Sequence, residues 1–133
     1  MNAVFADCFY FIAYLNDRDA GHKRAIAFSA SHTGTLVSTS WVITELADAF
    51  ADRTCRAKVI ALIEKLREDP KLKLVPPTQE LFERGWNLYS DRPDKDWSLT
   101  DCISFVVMQD EGLTDALTGD HHFAQAGFKA LLA

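Results

Sequence analysis

Short apolar runs alternate with longer helical segments along the chain. The apolar runs have the length of strands and lie at residues 3–6, 36–39, 72–75, 116–118 and 128–132. Segments predicted to be helical occupy residues 8–15, 22–31, 41–51, 54–68, 78–89, 98–111 and 121–125. Helices between consecutive strands form crossovers that make neighbouring strands parallel. The sequence therefore predicts an α/β fold, a three-layer α/β/α sandwich around a central parallel sheet.

The length and composition fit one domain, predicted to span residues 1–133. A chain with 48% hydrophobic and 11% aromatic residues can build one core, and no repeat or linker divides it. No apolar run approaches a membrane span, and the N-terminus lacks the basic region of a signal peptide. Cys8, Cys55 and Cys102 are odd in number and widely spaced, which argues against disulfides and a structural zinc site. These features predict a cytoplasmic protein.

Four acidic residues are expected at one edge of the predicted sheet. Asp7 follows the first strand, and Asp120 follows the fourth. Glu45 lies one turn into the helix after the second strand, and Asp101 lies in the first turn of the apolar helix 98–111. Open α/β sheets bind ligands at the carboxyl ends of their strands. We therefore expect the four carboxylates to converge on one rim.

Each of these acids also has a structural explanation. Asp7 and Asp120 could cap the helices that follow them, Asp101 could form a capping box with Ser98, and Glu45 could be an ordinary solvated position. The presence of all four acids at one edge of the sheet favours a metal site instead. Crowded carboxylates repel one another, and a hard cation such as Mg²⁺ or Mn²⁺ relieves that repulsion. Such an ion can polarise a phosphodiester and activate water.

The net charge of −5 is unusual for a protein that binds nucleic acid, because phosphate binding favours a basic surface. Bound divalent cations could neutralise the acidic cluster, or basic groups could come from a local patch or from a partner. The sequence leaves both explanations open.

The chain resembles PIN-domain proteins, especially the toxin nucleases of VapBC-type toxin–antitoxin pairs. The matching stretches lie at residues 5–7, 19–22, 38–45, 97–105 and 116–123, in the order found in the family. Each stretch is short, but together they span nearly the whole chain. The resemblance implies a sheet of five strands in the order 3-2-1-4-5 and an enzyme that cuts RNA with water.

The resemblance also implies roles for the acids. Asp7 and Asp101 would bind Mg²⁺ or Mn²⁺ directly, while Glu45 and Asp120 would complete the coordination, bind a second ion or orient water. Secondary candidates for the site are Asp96 and Ser98, and His22 is expected to pack or hydrogen-bond near the rim. Expected partners are the RNA substrate, a cognate antitoxin and a second copy of the chain, with helices 41–51 and 54–68 supplying an apolar surface for a homodimer or an antitoxin.

One feature departs from the family pattern. Many relatives carry hydroxyl residues where this chain has Cys8 and Phe9. A hydroxyl that could orient a carboxylate or water is missing there, which could alter metal affinity or rate. We expect Cys8 and Cys102 to be small buried fillers.

Two other functions compete with the ribonuclease. A PIN-fold binding or scaffold protein with a weak or unused metal site would explain the acidic charge and Cys8, although the complete set of four acids argues against it. A phosphohydrolase acting on small molecules through Asp7 would need a further Asp or a Lys close to the nucleophile, and the neighbouring residues Cys8 and Phe9 offer neither. The sequence favours the ribonuclease.

Overall fold

Five parallel strands form a single sheet in the computed structural model, which describes residues 3–133. The strands are β1 (Val4–Ala6), β2 (Leu36–Thr39), β3 (Leu72–Val75), β4 (Asp115–Leu117) and β5 (Lys129–Ala130). Their order is β3-β2-β1-β4-β5, and each neighbouring pair is parallel. The predicted α/β class, the parallel sheet and its strand order are confirmed.

Seven helices of the described chain connect and cover these strands. They are α1 (Cys8–Leu15), α2 (His22–Ser31), α3 (Ser40–Ala49), α4 (Arg56–Glu68), α5 (Gln79–Asp91), α6 (Leu99–Asp110) and α7 (His121–Gln125). Their bounds lie within two residues of the prediction. Hydroxyl caps define two of the starts: Thr39 Oγ1 accepts from Val42 N, and Thr78 Oγ1 accepts from Leu81 N.

The strand predicted at residues 128–132 is wrong in its length, since β5 contains only Lys129 and Ala130. The chain turns after Ala130, and the Leu132 N–H donates to the carbonyl oxygen of Thr118. The single domain predicted for residues 1–133 includes residues 1 and 2, which lie outside the described part, and its extent stays a prediction. Across residues 3–133, no helix is long and apolar enough to cross a membrane.

The core is built around β1 and α6. Every residue of β1 is buried, and so is every residue from Asp101 to Met108 on α6. The Phe105 ring lies edge-on to both Trp97 and Phe123, with centroid distances of 5.1 and 5.0 Å. Burying a side chain of this size contributes about 1.5–3 kcal/mol. The helix that carries Asp101 is therefore fixed to the centre of the molecule.

The sheet order creates a crevice next to β1. Because β2 lies on one side of β1 and β4 on the other, the crossovers that leave these strands go in opposite directions. Such a switch point leaves an open crevice beyond the carboxyl ends of the strands, where α/β proteins bind their ligands. The residues that follow β1 and β4, among them Asp7 and Asp120, lie at this crevice.

Candidate active site

All four predicted acids line one cleft at the carboxyl end of the sheet. The cleft has a volume of about 360 Å³. Its lining contains Asp7, Glu45, Asp101 and Asp120, together with Cys8, Phe9, Ile12, Ala49, Asp96, Ser98 and His122. These four carboxylates come from four different parts of the chain: the segments that follow β1 and β4, the middle of α3 and the first turn of α6.

Asp7 is the most buried of the four acids, with 6% of its surface exposed. It occupies the N-cap position of α1, but within the described residues its side chain makes no capping hydrogen bond. Its Oδ2 instead accepts from Thr118 Oγ1 at 2.9 Å. Burial raises the pKa of Asp7 to about 7, against the lowering effect of the Thr118 bond, and the charges of Asp101 and Glu45 raise it further.

Thr118 is a site residue that the sequence analysis missed. It is fully buried, and its hydroxyl donates to Asp7 Oδ2 while accepting from the Asp120 N–H at 3.0 Å. One hydroxyl thereby connects the acids that follow β1 and β4. Its place two residues before Asp120 was a possible signal, since short polar side chains often accept from the backbone two residues on. The Thr118 hydroxyl, one residue beyond β4, thus orients the Asp7 carboxylate, which has the Cys8 thiol and no hydroxyl next to it in the sequence.

Asp101 fulfils its structural role and faces the cleft as well. The predicted capping box is present: Ser98 Oγ accepts from Asp101 N at 3.0 Å, and Asp101 Oδ2 accepts from Ser98 N at 3.2 Å. His122 Nδ1 lies 3.1 Å from the same Oδ2. Burial raises the pKa of Asp101, while the bonds from Ser98 and His122 lower it. The cap holds this carboxylate at the rim.

His122 is a second residue that the sequence analysis missed. Asp120 Oδ1 accepts from His122 N at 2.9 Å, which confirms that Asp120 caps α7. The His122 ring bridges two acids, because its Nδ1 also lies 3.3 Å from Asp120 Oδ1. Asp120, His121 and His122 each place a ligand atom within 4.8 Å of the others. This part of the rim offers both oxygen and nitrogen donors to a cation.

Glu45 and Cys8 also line the cleft. Glu45 is half-buried, and burial together with the charge of Asp101 raises its pKa, while a hydrogen bond from the Cys8 thiol lowers it. The pKa of Cys8 is raised far above its usual range by burial and by the charges of Glu45 and Asp7. Cys8 therefore stays a thiol, and it supplies a weak donor to Glu45. Cys8 and Cys102 are both buried and free, as predicted.

Two of the three secondary candidates for the site line the cleft, and the third connects two helices. Asp96 and Ser98 are exposed residues that line the cleft. His22 instead has a structural contact, since its Nδ1 lies 2.8 Å from the carbonyl oxygen of Ala13 and ties α2 to α1. A carbonyl can only accept, so the ring presents its N–H there.

The donors in the cleft fit a hard divalent cation. Carboxylate oxygens are the ligands that Mg²⁺ and Mn²⁺ prefer. Burial and mutual repulsion raise the pKa values of Asp7, Glu45 and Asp101, so the ionised cluster is unfavourable by itself. A bound cation would offset both effects. The cluster can hold a divalent metal, and the roles of the individual acids remain a prediction.

A doubly wound parallel sheet with an acidic cleft at its switch point defines a class of protein that can use metal ions on phosphate esters. The sequence profile of the PIN domain matches residues 4–129, and the chain belongs to the PIN domain family.

Similar proteins agree with this assignment. The curated "23S rRNA-specific endonuclease VapC20" of Mycobacterium tuberculosis, from strains CDC 1551 / Oshkosh and ATCC 25618 / H37Rv, is 26% identical over 125 residues, which cover 94% of this chain and 95% of the relative. The crystal structure of Mycobacterium tuberculosis VapC20, titled a "Sarcin-Ricin loop cleaving toxin", matches with a TM-score of 0.87 at 26% identity, over 94% of this chain and 95% of that one.

A more distant structure supports the fold. FitAcB from Neisseria gonorrhoeae matches with a TM-score of 0.69 at 17% identity, covering 96% of this chain and 94% of that one. The predicted family, fold and class of enzyme, a PIN-family ribonuclease, are confirmed.

Proposed function

We propose that this protein is a metal-dependent endoribonuclease that hydrolyses RNA phosphodiester bonds, with Asp7, Glu45, Asp101 and Asp120 holding Mg²⁺ or Mn²⁺. The observation that carries the proposal is the convergence of these four carboxylates in one cleft, where burial raises the pKa of Asp7 to about 7. A protein gains no stability from such crowding. Perturbed acids that share a cleft are typical of functional sites.

Burial and hydrogen bonding divide the acids into two pairs. Asp7 and Asp101 are the two buried ones, and each is oriented by hydrogen bonds from a neighbouring element. We assign these two as direct ligands. Glu45 and Asp120 are half-buried and complete the site by binding the ion or by orienting water. When bound, the ion would supply positive charge to the phosphodiester and to the attacking water.

The protein residues around the acids would keep this geometry fixed. Thr118 holds Asp7, and the Ser98 cap together with His122 holds Asp101. Partners of this kind orient ligating carboxylates in metal sites, and their loss typically costs 10–100-fold in affinity or activity (order of magnitude).

The relatives suggest the RNA to test first. The similar VapC20 protein is named as specific for 23S rRNA and as cleaving the sarcin–ricin loop, and this chain covers 95% of its length. We propose that this chain also cuts a structured ribosomal RNA and that it is the toxin of a type II toxin–antitoxin pair. Bound divalent ions would reduce the effect of the net charge of −5 on RNA binding.

The proposal includes an antitoxin and a homodimer as protein partners. An apolar groove of about 240 Å³ lies between α1 and α4 and is lined by Tyr10, Phe11, Tyr14, Leu62 and Leu66 among others. This groove suits an apolar segment of an antitoxin. On the homodimer surface predicted for α3 and α4, Ile60 is 51% exposed. Three free cysteines fit the reducing cytoplasm as the place of action.

Cleavage of purified RNA tests the function. The wild type should cut total cellular RNA with Mg²⁺ or Mn²⁺ and should not cut it with EDTA. Asp101→Asn should lower cleavage by more than about a hundredfold, because it removes charge from the metal site. The Asn carbonyl can still accept from Ser98 N, so the cap and the fold should survive.

Asp110→Asn is the matched control on the same helix. Asp110 pairs with Arg84 through two bonds of 2.7 and 2.8 Å and lies outside the lining of the cleft. This variant should cut RNA like the wild type. Equal cleavage by the wild type and Asp101→Asn would indicate a contaminating nuclease. Failure of the wild type on every RNA class would favour the binding or scaffold protein.

A further inference from the structure

An aromatic surface on α5 lies beside the acidic cleft. Trp86 and Tyr89, one helical turn apart, are 47% and 44% exposed. Their rings stack with centroids 5.7 Å apart and an interplanar angle of 26°. Together with Lys95 they line a depression of about 810 Å³. Large aromatic rings usually lie in the interior, so two stacked rings at the surface need an explanation.

The depression adjoins the cleft. Asp96 and Ser98 line both, and Ser98 also caps α6 by accepting from Asp101 N. These shared residues place the two aromatic rings and the four carboxylates on neighbouring parts of one surface. A chain-like substrate that reacts in the cleft can therefore extend onto Trp86 and Tyr89.

We propose that Trp86, Tyr89 and Lys95 form a subsite for unpaired bases of RNA next to the bond that is cut; this inference rests on the proposed ribonuclease function. Every base has a flat π face, so aromatic platforms bind single strands with little sequence preference. Bases within a duplex are already stacked on each other, and the platform selects nucleotides from loops or single strands.

The charges around the platform favour stacking over attraction of phosphates. Arg92 is already bound, since it makes two bonds of 2.9 Å to Asp94 and lies over the Trp97 ring. Lys95 Nζ is 4.0 Å from Asp94 Oδ2, beyond hydrogen-bonding distance, so its ammonium group can take a phosphate. With Asp96 also close, binding here should depend only weakly on salt.

Binding without cleavage isolates the subsite. In an Asp101→Asn background, we would measure the fluorescence anisotropy of a labelled 12-nucleotide single-stranded RNA and of a fully paired duplex of the same sequence. Trp86→Ala should weaken binding of the single strand by on the order of tenfold. Trp86→Phe should restore most of the affinity, because it keeps a ring. Duplex binding should be the same in all these variants.

Ile26→Ala is the matched control. Ile26 on α2 is an apolar residue with a similar exposure of 40%, and in the described chain it lines neither the cleft nor the depression. Its loss should leave RNA affinity unchanged. In the cleaving protein, Trp86→Ala should raise KM for a single-stranded substrate about tenfold with kcat nearly constant, since the rings lie outside the reacting group.

Three outcomes would overturn the subsite. Equal binding of the single strand by Trp86→Ala and its parent would exclude stacking, even if the wild type cleaves RNA well. If Trp86→Ala weakens binding of the duplex as much as binding of the single strand, the substitution acts on the surface in general and not on stacking with unpaired bases. A dimer in sedimentation that Trp86→Ala dissociates would assign the platform to a second copy of the chain. Conversely, loss of all cleavage with a preserved Trp86 effect on binding would contradict the ribonuclease and leave the subsite standing.

Discussion

At the scale of residues, structural and chemical roles coincide in the same side chains. Asp120 caps α7, Asp101 belongs to the capping box of α6, and both line the cleft. Both roles follow from position, because the carboxyl edge of a parallel sheet is also where the next helices begin. A capping bond fixes the carboxylate, and the positive end of a helix stabilises its charge. The caps thereby orient the acids toward the cleft.

Thr118→Val tests how far one hydroxyl controls the site. Valine has nearly the same shape, but it removes the bond to Asp7 Oδ2 and the acceptor for Asp120 N. The pKa of Asp7 should rise above about 7, because the Thr118 bond lowers it. The acidic limb of the pH profile of RNA cleavage should move to higher pH, and metal affinity at pH 7 should fall by about 10–100-fold.

Thr118→Ser separates this role from packing. Serine keeps the hydroxyl and loses a methyl group, so it should restore the pH profile while lowering the free energy of unfolding by about 1 kcal/mol. If valine and serine shift the pH profile equally, the hydroxyl does not control Asp7.

At the scale of elements, local patterns predicted most of the fold. The helices α1, α2 and α7 and the strands β2 and β3 have the predicted bounds, because turns or prolines end their apolar patterns sharply. Helix α4 begins two residues after its predicted start, since the chain from 52 to 55 forms a turn. Strand β5 is shorter because its end depends on bonds to β4, which periodicity does not report.

Contacts between residues far apart in the chain also limited the prediction of the candidate site. The four acids could be predicted to share one edge of the sheet because Asp7 and Asp120 follow strands, Asp101 lies in the first turn of α6, and Glu45 lies on the helix that follows β2. Thr118 and His122 could not be assigned roles, since these depend on contacts with Asp7 and Asp101, which are 111 and 21 residues away in the chain. Contacts between side chains on different strands depend on how the strands pair, and a local sequence pattern does not report that pairing.

Gly85→Ala tests the packing of α5 against α6. A Cβ at Gly85 would lie 2.3 Å from Ile103 Cγ1 and 3.2 Å from its Cα. Alanine is the better helix former by about 1 kcal/mol, but overpacking a core typically costs about 1–3 kcal/mol. We expect a net loss in the free energy of unfolding, measured by urea denaturation, because the Ile103 backbone on the buried helix cannot move away.

A double-mutant cycle with Ile103→Ala provides the control. Ile103→Ala alone should destabilise the protein by about 2–5 kcal/mol, because it opens a cavity. Added to Gly85→Ala, it removes the side chain that clashes, so the combined loss should be smaller than the sum of the two single losses. Additive effects would contradict a tight contact between these helices.

At the scale of the whole molecule, the cleft links stability to pH and to metal. The fold brings Asp7 into a buried position beside Asp101 and Glu45, and the folded chain therefore holds a proton on Asp7 up to pH about 7. The unfolded chain loses that proton near the ordinary pKa of 3.8. A group whose pKa is raised by folding stabilises the protein at low pH, and this contribution disappears as the pH rises through the folded value.

The metal-free protein should therefore lose a few kcal/mol of stability, relative to Asp7→Asn, as the pH rises from about 4 to 7. Asparagine has no proton to lose, so the difference between the two proteins reports the titration of Asp7 together with its coupling to Asp101 and Glu45. Thermal unfolding followed by circular dichroism in EDTA, from pH 4 to 8, measures this difference.

Mg²⁺ competes with the proton for the same oxygens, so its stabilising effect should be larger at pH 8 than at pH 5. The double variant Asp7→Asn/Asp101→Asn should show no Mg²⁺-dependent rise in Tm at either pH. If the stability of the wild type relative to Asp7→Asn stays constant from pH 4 to 8, the pKa of Asp7 is not raised. If the double variant keeps the full Mg²⁺-dependent rise in Tm, the ion binds elsewhere.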